Sequence, residues 1–254
     1  MSNLAPTSDT TLSVADFVKL PPVDLDTMYN EIISMLTAAG SSSDVENGEQ
    51  AENEEVGTVN SSDTHVPISD LVIRILTKYK DAYMTSSAAV SMHHNLRGGL
   101  LYHSYRMVKA ADAICNVYTN LDRELLMCGA AIHDIAKIWE YDTSESGDAA
   151  LTSRGVLFGH LYMGASLIKG FTAGHDYNKE KVQMLIHMIL SHHGTQEWGA
   201  VACPAIPEAL ALHYIDNLDA KMYMFEEQYE NLAEGEISEK KVFGLDNRVY
   251  KPKY

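Results

Sequence analysis

The sequence predicts an all-α domain: a bundle of helices preceded by a flexible, acidic N-terminal extension. Three observations lead there. From Pro67 onward, apolar residues recur at helical spacing with almost no interruption. Sustained period-two alternation, the mark of half-buried strands, is absent. The charge is also unevenly spread. Residues 1–65 carry twelve acidic groups and one basic group, and the rest carries 23 acids against 18 bases, so -11 of the net -16 belongs to the leader.

Within that leader, residues 1–20 are mostly Ser, Thr, Ala and Asp and predict little order. Leu25, Met28, Ile32, Met35 and Leu36 then fall at helical spacing, so residues 24–39 predict one amphipathic helix that docks on the main domain or on a second subunit. The segment 40–65, GSSSDVENGEQAENEEVGTVNSSDTH, has almost nothing to bury and reads as a flexible acidic linker. A single catalytic-type domain is expected over 66–254. Its first core helix carries Leu71, Ile73, Ile75, Leu76 and Tyr79, and its second runs over 99–118. Residues 122–138 read as the central buried helix, because Leu125, Leu126, Cys128, Ala130, Ala131 and Ile132 leave it small or apolar on most faces. An irregular stretch follows over 140–155. Further helices are expected over 157–169, 179–191 and 207–227, before a tail ending KVFGLDNRVYKPKY.

Several function classes drop out. No apolar run approaches the roughly 20 residues needed to cross a bilayer, and the first residues lack the basic start and hydrophobic run of a secretory signal. Cys115, Cys128 and Cys203 are too few and too widely spaced for a disulfide framework, which points to a reducing, cytoplasmic setting. The negative charge argues against broad, non-specific nucleic-acid binding, which relies on Lys and Arg. It does not exclude a narrow channel lined by metal ions, which reverse the local sign.

The chemistry concentrates in imidazoles and carboxylates. His133 and Asp134 are adjacent near the end of the central apolar helix, where unpartnered polarity would be costly. With His103 on the second helix and Asp216 in HYIDNLDAK, they form the expected first metal shell. His160 in FGHLYMG and the pair His192-His193, just before Gly194, offer a second set for a second ion or a bridging water. Metal-activated water attacking a phosphate ester is the reaction such a set performs. Lys137, one turn after His133, is placed to meet a substrate phosphate or stabilise transition-state charge, and Asp134 and Lys137 are the expected catalytic pair. His93, His94 and Arg97, just before the Gly98-Gly99 turn, and Glu197, after the histidine pair, are candidate substrate contacts. His175, His187 and His213 read as ordinary hydrogen-bonded histidines, and Asp219 as a helix-packing acid. Mixed nitrogen and oxygen ligands suit Mn, Fe, Co, Ni or Zn, and Mg less well, with Mn²⁺ the first choice; one ion or two is left open.

The ordered pattern His103, His133-Asp134, Asp216 resembles the HD superfamily of metal-dependent phosphohydrolases. HHNLRGGLLYHS, AAIHDIAKIWEY, FGHLYMG, ILSHHGTQEWG, EALALHYIDNLDAKM and the tail GLDNRVYKPKY are similar to the catalytic domain of the YhaM family of 3′→5′ exoribonucleases, across about 67–254. The resemblance implies an HD-type helical bundle, two-metal ligation that includes His160, His192 and His193, and subunit pairing through surface helices. HDIAK and the region of Arg154 depart slightly from the family's usual wording. That family typically carries an N-terminal OB-type domain, whereas residues 1–65 offer no aromatic platforms and a single basic residue, Lys19. Tight, processive binding of long RNA is therefore not expected. The leading expectation is a 3′→5′ exonuclease on short single-stranded RNA or DNA. The alternative is a nucleotidase, dNTP hydrolase or cyclic-dinucleotide hydrolase acting on free nucleotides.

Overall fold

A computed structural model describes residues 18–49, 65–88, 96–144 and 147–254. The chain runs α1 (Leu25–Glu49), α2 (Ile68–Lys78), α3 (Lys80–Thr85), α4 (Gly99–Cys115), α5 (Arg123–Ile132), α6 (Lys137–Glu140), β1 (Tyr141–Thr143), β2 (Ala149–Leu151), α7 (Ser153–Phe171), α8 (Lys179–Ser191) and α9 (Pro207–Asn231). The architecture is all-α, with one small hairpin among the described residues.

α5 is the axis of the bundle. Asp122 caps it by accepting the Leu125 N–H at 2.9 Å, and every residue from Glu124 to Ile132 is buried. α1, α2, α4, α8 and α9 all pack on it. Gly129 lets α8 come close, since a Cβ there would lie 2.4 Å from the Met188 methyl. At the capped end, the Lys181 ammonium bridges Asp122 at 2.9 Å and the buried Glu124 at 3.0 Å. Glu124 also accepts the Ser69 N–H at 3.0 Å, so α2, α5 and α8 are tied together there.

The apolar stripe of α1 is part of this same core: Met28, Ile32 and Leu36 are fully buried against α2, α4 and α5. Asp24 caps the helix through the Thr27 N–H at 2.9 Å. Of the two docking partners expected for this helix, the contact seen is with its own domain. The segment expected to be a linker from residue 40 is helical as far as Glu49, while 1–17 and 50–64 lie outside the described residues. Periodicity ends at Ala39 because the sequence beyond it, GSSSDVENGE over 40–49, has almost no apolar residues to repeat.

Three other expectations are corrected. The central helix does not run on to Ile138: it stops at Ile132, and residues 133–136 form a tight turn before α6. The stretch expected to be irregular holds an antiparallel hairpin, with Tyr141 opposite Leu151 and Thr143 opposite Ala149. α7 begins earlier, capped by Thr152, and is broken at Gly159, whose φ of 65° and ψ of 159° are not helical. By contrast, α8 occupies the residues its periodicity predicts. Among the described residues no helix is long and apolar enough to cross a membrane. All three cysteines are free: Cys115 and Cys128 are buried and Cys203 is exposed.

Candidate metal centre

Five elements each bring a piece of the site to one place beside the end of α5. The turn after α5 comes first. Once the His133 N–H has bonded Gly129 in the helical manner, the chain tightens to i→i+3 bonds, Ile135 to Ile132 and Lys137 to Asp134. His133 and Asp134 are thereby aimed into the same space, with His133 Nε2 3.3 Å from Asp134 Oδ2. Lys137 starts α6 and so does not share one continuous helix with His133, as the sequence suggested; its ammonium instead lies 2.7 Å from Asp134 Oδ2.

α4 supplies His103, whose Nε2 is 3.2 Å from His133 Nε2 and 3.3 Å from Asp216 Oδ1 on α9. α8 ends in His192 and His193, and the chain turns away at Gly194, with φ of 84°. A side chain at Gly194 would also meet the His213 ring. The break in α7 supplies His160, whose Nε2 lies 3.2 Å from His193 Nε2 and 3.4 Å from Asp134 Oδ1. His192 Nε2 is 3.7 Å from the same oxygen. Three overlapping groups have ligand atoms within 4.8 Å of one another: His103/His133/Asp216, His133/Asp134/His192 and His160/His192/His193.

The outer nitrogens explain why the inner ones converge. Nδ1 of His103 meets Asp219 at 2.7 Å, and that of His160 meets Glu140 at 2.9 Å. Nδ1 of His133 donates to the Ala130 carbonyl at 3.1 Å, and that of His192 to the Ile189 carbonyl at 2.8 Å. Each bond places a proton on Nδ1 and turns Nε2 inward, the arrangement that outer hydrogen-bond partners impose on metal-binding histidines. Two imidazole nitrogens 3.2 Å apart repel unless a proton or a cation lies between them, and this happens twice. Asp134 Oδ1 is buried without a hydrogen-bond partner. Such a set fits a divalent cation and fits little else.

The electrostatics agree. Burial opposes the charge on Asp134, but Lys137 and His133 outweigh it and hold its pKa well below the usual carboxylate range. Asp216 is likewise lowered, despite its burial, by His103 and His133. Burial also works against Lys137, yet the Asp134 carboxylate raises its pKa. Burial and the neighbouring imidazoles push His193 down to about 4, and burial lowers His192. His103 goes the other way: burial disfavours its charge, but Asp216 and Asp219 prevail and raise it to about 9. At neutral pH the metal-free cluster therefore keeps a proton on His103, which a metal must displace, while His192 and His193 are already neutral. Metal affinity is expected to rise about tenfold per pH unit below about 9 and level off above it. Metal titrations from pH 6 upward, with calorimetry in buffers of different ionisation enthalpy to count released protons, check this. A pH-independent affinity would contradict it.

Asp134, Lys137, His192, His193 and Asp216 open into a cavity of about 520 Å³ whose other walls are Trp198, His213, Asn217, Ala220, Lys221, Met224 and Gly244. Glu197 lies on the exposed turn Gln196–Trp198, and its neighbour Trp198, not Glu197, lines this cavity. Arg97 is half-buried ahead of α4 and is not part of the lining. His93 and His94 lie outside the described residues. His213 forms the expected hydrogen bond, Nδ1 to the His192 carbonyl at 2.8 Å, but also faces the cavity. Asp219 does hold α9 against α4, and it does so through His103 and Arg106. Glu140 carried no signal in the sequence: a single acid after an apolar run, twenty positions from the histidine it orients.

Residues 100–221 match the family model of the HD domain, a span that takes in every candidate ligand from His103 to Asp216. The chain is an HD-domain protein. Outside that span the likeness continues. The 3′-5′ exoribonuclease YhaM of Bacillus velezensis is 39% identical over 188 residues, covering 74% of this chain and 59% of the relative. That of Geobacillus sp. is 39% identical over 179 residues, 70% of this chain and 54% of the relative. That of Bacillus subtilis is 40% identical over 185 residues, 72% and 58%. The chain thus spans a little over half the length of these curated relatives. No solved structure matches the chain significantly.

Proposed function

We propose that this HD domain is a metal-dependent phosphodiesterase that removes nucleotides from the 3′ end of short single-stranded RNA or DNA. The observation that carries the hydrolytic reading is the convergence of imidazole Nε2 atoms on Asp134, each of four histidines locked outward through Nδ1. The exonuclease reading is supported by the relatives, whose names state 3′-5′ exoribonuclease activity.

His103, His133, Asp134 and Asp216 would hold one divalent ion, and His160, His192 and His193 a second, with Mn²⁺ the first choice for a mixed nitrogen and oxygen set. When bound, such ions supply a Lewis acid for phosphoryl oxygens and make water acidic enough to act as a nucleophile near neutral pH. The chain's own residues do the rest. Asp219 and Glu140 hold His103 and His160 in the tautomer that faces inward. Lys137, neutralising one oxygen of Asp134, keeps that carboxylate ionised in a buried setting, and its remaining donors are available to a phosphate oxygen. The cations offset the cluster's acidity, so an acidic chain can admit a polyanion at this one place.

Metal-stripped protein given Mn²⁺ and a 5′-labelled short RNA, its DNA counterpart and a panel of free nucleotides tests the reading. A ladder shortening from the 3′ end, lost in His133→Ala, is the expected result and gives the sugar preference. Intact oligomers with turnover of one class of mononucleotide would move the protein to the free-nucleotide branch.

A further inference from the structure

The cavity beside the metal cluster contains two groups that neither the fold nor the ligand set requires. Trp198 is 60% exposed. A tryptophan can bury 150–250 Å² of surface, so its position at a cavity wall forgoes much of the stabilisation its ring offers. It is nevertheless held firmly. The turn that carries it is closed by the Trp198 N–H to Thr195 at 3.1 Å, Gly199 to Gln196 at 3.0 Å and Ala200 to Thr195 at 3.1 Å. Gly199, with φ of 92°, lets the chain leave that turn. Its indole lies 5.8 Å from the His213 ring at an interplanar angle of 32°. His213 in turn is buried and fixed by its bond to the His192 carbonyl. A rigid aromatic pair therefore stands next to the histidine pair of the metal cluster.

The second group is Lys221. Two lysines line the cavity, and Lys137 already has its ammonium 2.7 Å from Asp134. Lys221, exposed on α9 one turn beyond Asn217, forms no ion pair among the described residues. In a chain of net charge -16, a cation that forms no ion pair among the described residues, on the same cavity wall as Asp216, is a second group placed to meet an anion. Met224, one turn beyond Lys221 on α9, and Gly244 also line the cavity, where Gly244, with φ of 85°, packs on the Met224 side chain. A volume of about 520 Å³ has room for a single nucleotide.

We propose that this cavity is a nucleotide subsite: a base stacks on Trp198 beside His213, and Lys221 holds the nucleotide's phosphate. The subsite rests on the phosphodiesterase reading and gives it a substrate-binding element outside the metal ligands. Stacking uses the π-face that every base shares, so the subsite accepts all four bases with little preference. It also removes the need for Glu197 as a sugar or ligand contact.

The chain has two tryptophans, so Trp139→Phe leaves Trp198 as the only indole reporter. The full chain carrying that substitution is titrated, in Mn²⁺, with AMP and with ribose 5-phosphate, which has the phosphate and sugar but no base. AMP is expected to quench Trp198 emission and to bind at least about tenfold tighter than ribose 5-phosphate. Lys221→Ala is expected to weaken both ligands by a similar factor. Equal affinity for the two ligands, AMP binding seen by calorimetry with no change in emission, or no AMP binding at millimolar concentration would each overturn the proposal. If Trp139→Phe fails to fold, the difference between wild type and Trp198→Phe gives the same reading. The two conclusions separate cleanly. AMP stacking without RNA shortening keeps the subsite and removes the exonuclease; RNA shortening without stacking does the reverse.

Discussion

An Asp134→Ala variant is expected to lose all detectable hydrolysis and metal binding at the cluster, and to be less stable when metal-free by about 3–5 kcal/mol. Both effects have one origin. Among the described residues Asp134 is the one carboxylate with oxygens within 4 Å of both histidine sets: Oδ2 lies toward His133, and Oδ1 toward His160 and His192. Removing it separates the two groups of imidazoles and takes the central anion from any ion held between them. The same substitution strands Lys137, whose side chain is only 13% exposed and whose ammonium has Asp134 at 2.7 Å. A buried cation left without its partner is costly, whereas removing both members of a pair costs much less. The double variant Asp134→Ala/Lys137→Ala should therefore recover most of the lost stability and none of the activity. Urea unfolding of the four proteins of that cycle, in chelator, measures the coupling. A single variant as stable as the parent would show that the pair bears no structural burden.

The helices were legible wherever an apolar stripe faced a core. Met28, Ile32 and Leu36 marked α1, and Leu185, Met188 and Ile189 marked α8, because burial on one face writes a 3.6-residue period into the sequence. That period says nothing where the face is missing, which hid the polar half of α1. It is equally blind to a local dihedral change, which hid the break at Gly159 within an apolar run. Strands of three residues such as Tyr141–Thr143 are too short for alternation to register. In the site, the residues aimed inward were visible as an excess of His and Asp in apolar surroundings. The groups that aim them were not. Asp216 and Asp219 sit three positions apart on α9, yet one faces Nε2 and the other Nδ1 of His103, a distinction that only the packing of α9 on α4 decides. Trp198 carries no charge to mark it in the sequence, and only the fold of the turn Gln196–Trp198 brings it to the cavity wall.

Glu140→Gln is expected to weaken metal binding at the His160 set about 10–100-fold while leaving the fold intact. Glu140 accepts two bonds from the same residue: the His160 N–H at 3.0 Å and His160 Nδ1 at 2.9 Å. The first serves an amide exposed where α7 restarts after Gly159, a helix start that favours a negative partner. The second sets the tautomer. Burial opposes the carboxylate charge, but its bonds to His160 outweigh that and lower its pKa, so it is ionised and can only accept at neutral pH. Glutamine keeps the shape but has one oxygen and one amide. If the oxygen stays with the backbone N–H, the amide nitrogen faces Nδ1 and donates to it. The imidazole proton must then move to Nε2, where it points at His193 and Asp134 and blocks the inward lone pair. The same tautomer logic makes an Asp→Asn change severe in a serine-protease triad without disturbing its geometry. Nitrogen-detected NMR of the histidine rings reads the tautomer directly, and metal titration reads its consequence. Asp219→Asn puts the same question to His103, where Arg106 competes for the remaining oxygen. An unchanged His160 tautomer with weakened metal binding would shift the explanation from proton placement to loss of the carboxylate's charge. An unchanged affinity would remove Glu140 from the site altogether.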